Sequence, residues 1–179
     1  MQIKHNNLKR KVAAFILRPV PSGQREILLH SFPTTPSLPL RLPGGGVEDS
    51  ETPAQALYRE LREETGLTDL QVERKLGVQA YYKHFIQAQV ERHDFLLWAS
   101  AEVPDSWEFQ VQGNGADAGD IFGFHWLNAQ SLDGIDEEHR PFITASYVPE
   151  LFDATASQGS TQKCSANSIY KQPKPTCKT

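Results

Sequence analysis

The stretch "GGVEDSETPAQALYRELREETGL", Gly45 to Leu67, holds the clearest secondary-structure signal in the chain. Thr52 is a good N-cap, Pro53 suits the first helical position, and Gln55 completes a capping box. Gly66 suits the stop, because glycine readily enters the left-handed conformation that ends helices. The predicted helix therefore runs from Pro53 to Thr65. With Glu60 set at zero and roughly 100° added per residue, Leu57, Leu61, Ala54 and Tyr58 fall between about +60° and +160°, a core-facing stripe. Glu63, Glu60 and Glu64 fall between about −60° and +40°, with Gln55 and Arg62 toward solvent. Arg59 lies just beyond Glu63, within pairing reach of an acid.

Three acids are badly placed here by local rules. Like charges one turn apart oppose each other by roughly 0.2–0.5 kcal/mol, and the C-terminal end of a helix already carries partial negative charge. A solvated acidic face is the ordinary explanation. The "PGGG" just upstream, Pro43 to Gly46, shifts the balance. Glycine backbone can approach a ligand where no side chain intervenes. A flexible loop entering beside a carboxylate cluster suits a phosphate–metal site. Magnesium takes oxygen ligands and is usually held by a few carboxylates together with substrate phosphates. A cation among the acids turns repulsion into attraction, and a broken local rule is expected at a functional site.

Outward from the helix, "KVAAFILRP" (Lys11 to Pro19) and "EILLHSF" (Glu26 to Phe32) are short apolar runs rich in strand formers, joined by a turn. "SFPTTPSLP" is a proline-rich loop, and "LRL", Leu40 to Leu42, alternates before the glycines. After the helix, "LQVERKLGVQAYY" and "HDFLLWASAEV" predict strands, residues 104–120 a polar loop, and "IFGFHWL" another strand. "DEEHRPFITASYVPELFDA", 136–154, reads as helical, with interruptions at Pro141 and Pro149. Strands on both sides of one crossover helix favour a mixed sheet covered by helices. Residues 1–154 make one domain. Residues 155–179, rich in Ser, Thr, Gln and Lys, predict a disordered basic tail.

The 179 residues suit a single domain. The absence of a run of 18 apolar residues argues against a membrane span, and the apolar part of "MQIKHNNLKRKVAAFILRP" is too short for a signal-peptide core. Cys164 and Cys177 are the only cysteines, both in the tail, and read as free thiols of a cytoplasmic protein. Net charge is −4, but Lys163, Lys171, Lys174 and Lys178 lie in a tail without acids. The remainder, 14 basic residues against 22 acidic ones, carries −8. An acidic body argues against nucleic acid as a partner. Homodimerisation stays open.

The spacing within the opening stretch is Gly45, five residues, Glu51, seven residues, then Arg59, Glu60, Leu61, one residue, Glu63, Glu64, one residue, Gly66, Leu67. This resembles the Nudix box, G-x5-E-x7-R-E-U-x-E-E-x-G-U with U aliphatic, and every specified position matches. A chance match has odds of roughly one in 10⁹ per start position. The resemblance implies an α/β fold, the Nudix-type α/β/α sandwich with a mixed β-sheet, in which the box forms loop–helix–loop. It implies a metal-dependent pyrophosphohydrolase. Water attacks phosphorus in a nucleoside diphosphate linked to another moiety, giving a nucleoside monophosphate and the phosphorylated remainder. Carried over by position, Glu60, Glu63 and Glu64, with the Gly44 carbonyl, ligate Mg²⁺ or Mn²⁺. Glu51, Gly45 and Arg59 hold the ligand carboxylates in place. Glu63 or Glu64 orients or deprotonates the attacking water; the general base is unassigned.

Outside the box, Arg41 alternates with Leu40 and Leu42 and is a candidate for a substrate phosphate. Tyr81, with Tyr82, His84 and Phe85 nearby, is a candidate for stacking on a base. Asp117 and Asp120 stand about where the family often keeps an extra acid, and a turn role is the alternative for both. His93 and Asp94 read as structural. Three other activities compete with the hydrolase. A nucleotide-sensing module on this fold often loses box acids, and none is lost here. An isopentenyl diphosphate isomerase uses a core cysteine, which this chain lacks. Removal of pyrophosphate from RNA 5′ ends is supported only weakly by an acidic body. The expected substrate is a small nucleotide or other diphosphate compound.

Overall fold

The computed structural model describes residues 8–100 and 102–153. Six strands form one mixed sheet: β1 (Leu8–Pro19), β2 (Arg25–Ser31), β3 (Gln71–Lys83), β4 (Ala88–Trp98), β5 (Ser106–Gln110) and β6 (Ile121–Asn128), in the order β3-β4-β1-β2-β6-β5. β1 and β4 run parallel, from Leu8 opposite Gln89 to Leu17 opposite Trp98, and the other pairings are antiparallel. The crossover between β1 and β4 carries the helix α1 (Pro53–Thr65). β1 is central, so Val12 to Leu17 are all buried, as expected of a strand covered on both faces. Val12, Ala14 and Ile16 face α1 and pack with Leu57, Leu61, Leu97 and Phe124. Ala13, Phe15 and Leu17 face the other way and pack with Ile135, Ile143, Val148 and Leu151.

One departure from regular pairing creates the site. β1 and β2 pair only near their turn, from Leu17 opposite Ile27 to Pro19 opposite Arg25. Beyond that point the strands part, and the segment 40–47 fills the gap. Arg41 and His30 exchange backbone hydrogen bonds of 3.0 and 2.9 Å. Ala14 N donates to Pro43 O at 2.9 Å and Val12 N to Gly45 O at 3.0 Å. Gly44 lies against β1 with φ +140°, and a Cβ there would fall 2.3 Å from Val12 O. Only glycine fits this position, in conformation and in space.

The α1 limits match the sequence expectation. Thr52 and Gln55 form a reciprocal capping box, and Gly66 closes the helix at φ 74°. The core stripe does not match. Ala54 and Tyr58 are exposed, whereas Ala56, Leu57, Leu61, Glu64 and Thr65 are buried. The helix is rolled toward its acids, because the splayed strands leave a polar opening beneath its last turn. Glu64 is thus within the buried stripe rather than at its edge.

Three further expectations are corrected. The segment expected to be helical is, over its described residues 136–153, mostly turns, with a 3₁₀ turn at Arg140–Phe142 and a four-residue helix, α2 (Pro149–Phe152). Its prolines stop helix from propagating, and the layer opposite α1 is correspondingly thin. The polar loop 104–120 contains β5, an edge strand whose Trp107 and Phe109 turn toward the core while Ser106, Glu108 and Gln110 face out. β4 begins at Ala88, so His93 and Asp94 lie in mid-strand. Among the described residues, no helix is long and apolar enough to cross a membrane. The predicted tail and its cysteines lie outside the described residues.

Candidate active site

The end of α1, the segment 40–47 and the loop between β5 and β6 enclose a cleft of about 630 Å³. Glu60, Glu63 and Glu64 line it together with Arg59, Gly44, Gly45, Gly46 and Asp117. Arg59 organises the acids. Its Nη1 donates to Glu60 Oε1 at 2.9 Å and to Glu63 Oε2 at 3.2 Å. Its Nε donates to Glu51 Oε2 at 3.1 Å, and its Nη2 to Glu51 Oε1 and to Gly46 O, the latter at 2.8 Å. One guanidinium thus joins helix, loop and the start of the box. It holds the Glu51 carboxyl below its usual range, and Glu51 in turn keeps Arg59 firmly charged.

Glu64 is only 4% exposed. Its Oε2 accepts a 2.8 Å hydrogen bond from Gly44 N. Burial pushes its carboxyl well up, and the Gly44 N–H only partly opposes this. Glu60 is also pushed up, first by burial and then, against the pull of Arg59, by Glu63 and Asp117. Gly45 and Gly113 leave the acids room. A Cβ on Gly45 would come within 2.4 Å of the Glu60 carboxylate, and one on Gly113 within 2.8 Å of Glu63 Oε2. The loop bearing Gly113 is fastened to the helix by Gln112 N donating to Glu63 O at 2.7 Å.

The residues fit a hard divalent cation. The donors are carboxylate and carbonyl oxygens, the carboxylates outnumber the positive charge beside them, and two glycines keep their surroundings open. Among the described residues, no three His, Cys, Asp or Glu side chains converge on one point. Glu60 and Glu63 instead share the charge of Arg59 Nη1.

The residues singled out beyond the box also border this cleft. Arg41, Tyr81, Asp117 and Asp120 all line it. Arg41 Nε pairs with Asp136 Oδ2 at 3.0 Å. Tyr81 donates to Glu138 Oε2 at 3.3 Å, and burial first, then Glu138, pushes its hydroxyl up to about 12. Asp117 accepts from Asp120 N at 2.9 Å through its backbone carbonyl, which closes the loop, and its charge reaches Glu60 and Glu64. Tyr82, His84 and Phe85 do not line the cleft.

The sequence reading missed Lys11, Lys83, His30, Glu138 and His139, which line the cleft as well. Lys11 had one usable signal, since it keeps phase with Ala13, Phe15 and Leu17. Glu138 and His139 had none, because they come from the segment misread as helix.

Comparison with known proteins identifies the family and the fold. The NUDIX domain family model matches residues 9–145. An RNA pyrophosphohydrolase of Marinomonas sp. (strain MWYL1) is 30% identical over 100 residues, 49% of this chain and 59% of that protein. The chain therefore aligns with little more than half of that relative's length. The Ap4A hydrolase of C. elegans superimposes with a TM-score of 0.54 at 17% identity, covering 80% of this chain and 95% of that one. The ORF135 protein of E. coli does so with a TM-score of 0.55 at 18% identity, covering 88% and 100%. These two share the fold with this chain. The family model takes in β1 from its second residue, the other five strands, α1 and every residue of the acid cluster, and the chain belongs to the NUDIX domain family.

Proposed function

We propose that the cleft hydrolyses the anhydride of a nucleoside diphosphate linked to another moiety, by attack of water on phosphorus. The water oxygen bonds to phosphorus, the P–O–P bond breaks, and the water proton passes to a carboxylate. The products are a nucleoside monophosphate and the phosphorylated remainder. The observation that carries this reading is the clustering of Glu51, Glu60 and Glu63 on the single guanidinium of Arg59, with Glu64 and Asp117 lining the same cleft, beside a backbone that only glycine can form.

Glu60, Glu63 and Glu64, with the Gly44 carbonyl, would hold Mg²⁺ or Mn²⁺. Such an ion neutralises phosphate oxygens and lowers the pKa of water. The chain supplies position. Arg59 fixes Glu60 and Glu63 relative to Glu51, and Gly44 N fixes Glu64. Glu63 or Glu64 orients the attacking water and takes its proton. Positioning and electrostatics then provide most of the acceleration, as in other phosphoryl transfers. A second reading, hydrolysis at the 5′-triphosphate end of RNA, is favoured by the name of the Marinomonas relative and opposed by the acidic body.

The test is a Mg²⁺-supplemented panel of nucleotide sugars, dinucleoside polyphosphates, nucleoside di- and triphosphates and 5′-triphosphorylated RNA, with products identified. Hydrolysis of at least one is expected, and Glu63→Gln lowers its kcat by at least about 10²-fold. Undiminished turnover in that variant removes the role given to the acids. Tight binding of one compound without turnover of any selects a nucleotide-sensing module instead.

A further inference from the structure

We propose that Lys11 and Lys83, on the sheet face away from α1, form with Arg41 a cationic subsite along one wall of the cleft, for a further phosphate beyond the anhydride that is cut. The preferred substrates are then chains of three or more phosphates rather than nucleotide sugars. The inference rests on the hydrolase reading above and refines its substrate class.

Lys11 is the central observation. It follows the alternation of Ala13, Phe15 and Leu17, so its side chain enters the cleft from the face opposite α1. Its side chain is half-buried, and no hydrogen bond or ion pair holds its ammonium among the described residues. Its charged neighbours are Lys83, Glu138, Arg41 and Glu64. Burial first, then Lys83, lowers its pKa. A half-buried ammonium without a direct partner, with two other cations beside it, favours an anion at this wall.

Those cations are only partly engaged. Arg41 gives its Nε to Asp136, while its terminal nitrogens find no side-chain partner among the described residues; its guanidinium lies 5.1 Å from the centre of the Phe32 ring. Lys83 pairs with Glu138 Oε1 at 2.5 Å. Three cations share this wall with two acids, Asp136 and Glu138, which leaves one positive charge unmatched there; the third acid near Lys11, Glu64, belongs to the cluster assigned to the metal ion. Arg92 lines the cleft but is not available to a ligand. It is 2% exposed, grips both Asp94 oxygens at 2.7 and 3.1 Å, and donates to Glu138 O at 2.8 Å. It therefore positions the backbone of Glu138. That residue's carboxylate, shared between Lys83 and Tyr81, marks where an anionic group sits.

Sugar hydroxyls would leave the unmatched charge as it is. A phosphate would neutralise it through charge-assisted hydrogen bonds. Lys11 is within electrostatic reach of Glu64, which makes this wall continuous with the acid cluster. One extended polyanion can therefore span both.

The test is calorimetric titration, in Mg²⁺, of inorganic pyrophosphate and inorganic tripolyphosphate into the full chain. The wild-type protein is expected to bind tripolyphosphate about tenfold tighter than pyrophosphate, and Lys11→Gln to reduce that ratio to about twofold. Glu138→Gln, which removes the competing carboxylate, should widen it. An unchanged ratio in folded Lys11→Gln overturns the subsite, as does a narrowed ratio in Glu138→Gln, which applies even if the lysine variant fails to fold. Turnover separates the sources of a triphosphate. A nucleoside triphosphate and a 5′-triphosphorylated oligoribonucleotide should each exceed a nucleotide sugar in kcat/KM, and the better of the two identifies the carrier. A preference for the nucleotide sugar overturns the subsite but leaves the hydrolase reading standing. Absence of hydrolysis with an intact tripolyphosphate ratio does the reverse.

Discussion

His30 and His139 border the cleft, yet both imidazoles are neutral at ordinary pH. Burial, followed by repulsion from Arg41, lowers His30 to about 3, and burial followed by Arg92 does the same to His139. Their Nδ1 atoms have no hydrogen-bond partner among the described residues. His30 is held mainly by aromatic rings, stacked on Phe122 with centroids 4.2 Å apart. The linkage has a definite sign. In the unfolded chain histidine titrates near 6.5, so between that value and about 3 the folded state binds fewer protons. The stability contributed by a neutral His30 is complete above pH 6.5 and is lost as pH falls toward about 3. Between pH 6.5 and 4.5 the wild-type protein should lose roughly 1–3 kcal/mol that His30→Phe retains. Urea denaturation at both pH values measures this, and parallel losses in the two proteins would place the titration elsewhere. At this scale the sequence was partly legible. The box acids and Arg59 announce themselves by spacing, because their chemistry demands a fixed helical geometry. Lys11, His30 and His139 meet only through tertiary folding; the phase of Lys11 within β1 is the one local trace among them.

α1 was readable almost to the residue because its limits are set by its own ends. Thr52 Oγ1 accepts from Gln55 N at 3.3 Å, and Gln55 Oε1 accepts from Thr52 N at 2.8 Å. Thr52→Ala removes half of this reciprocal cap and should destabilise the protein by about 1 kcal/mol, read as a lower urea midpoint at unchanged slope. A change below about 0.3 kcal/mol would mean that packing alone sets the helix start. Elements defined by distant partners were harder to read. β5 exists because Trp107 stacks on Phe124 at 4.8 Å and donates its indole N–H to Thr65 O at 3.1 Å. Its five residues sit among turn formers that hide the alternation. Segment 136–154 misled in the opposite direction. Its apolar residues are spaced as on a helix, but Ile143 and Val148 reach the core from turns and Leu151 from the single turn of α2. The roll of α1 belongs with these failures. The face a helix buries depends on the gap beneath it, and that gap comes from the parting of β1 and β2.

For the molecule as a whole, the proposed function makes the acid cluster an instability that a bound cation would relieve. Residues 1–153 carry −8, and Glu64 lies buried with the Gly44 N–H as its hydrogen-bond partner. Without metal this carboxyl opposes folding whenever it is ionised. Bound metal reverses the effect, because any ligand of the folded state alone stabilises it by RT ln(1 + [L]/Kd), about 2.7 kcal/mol at a hundred times Kd. Glu64→Gln should therefore change stability in two opposite ways. In EDTA the variant is expected to melt above the wild-type protein, since a neutral amide keeps an acceptor for Gly44 N without a buried charge. In saturating Mg²⁺ the order should reverse, since the wild-type protein gains the linkage free energy and the variant forfeits most of it. Thermal melts of both proteins across a Mg²⁺ series, at constant ionic strength set with NaCl, separate specific binding from screening. A wild-type melting temperature indifferent to Mg²⁺ would show that the acids hold no cation. A Glu64→Gln protein that melts lower in EDTA would show that the buried carboxyl supports the fold rather than straining it.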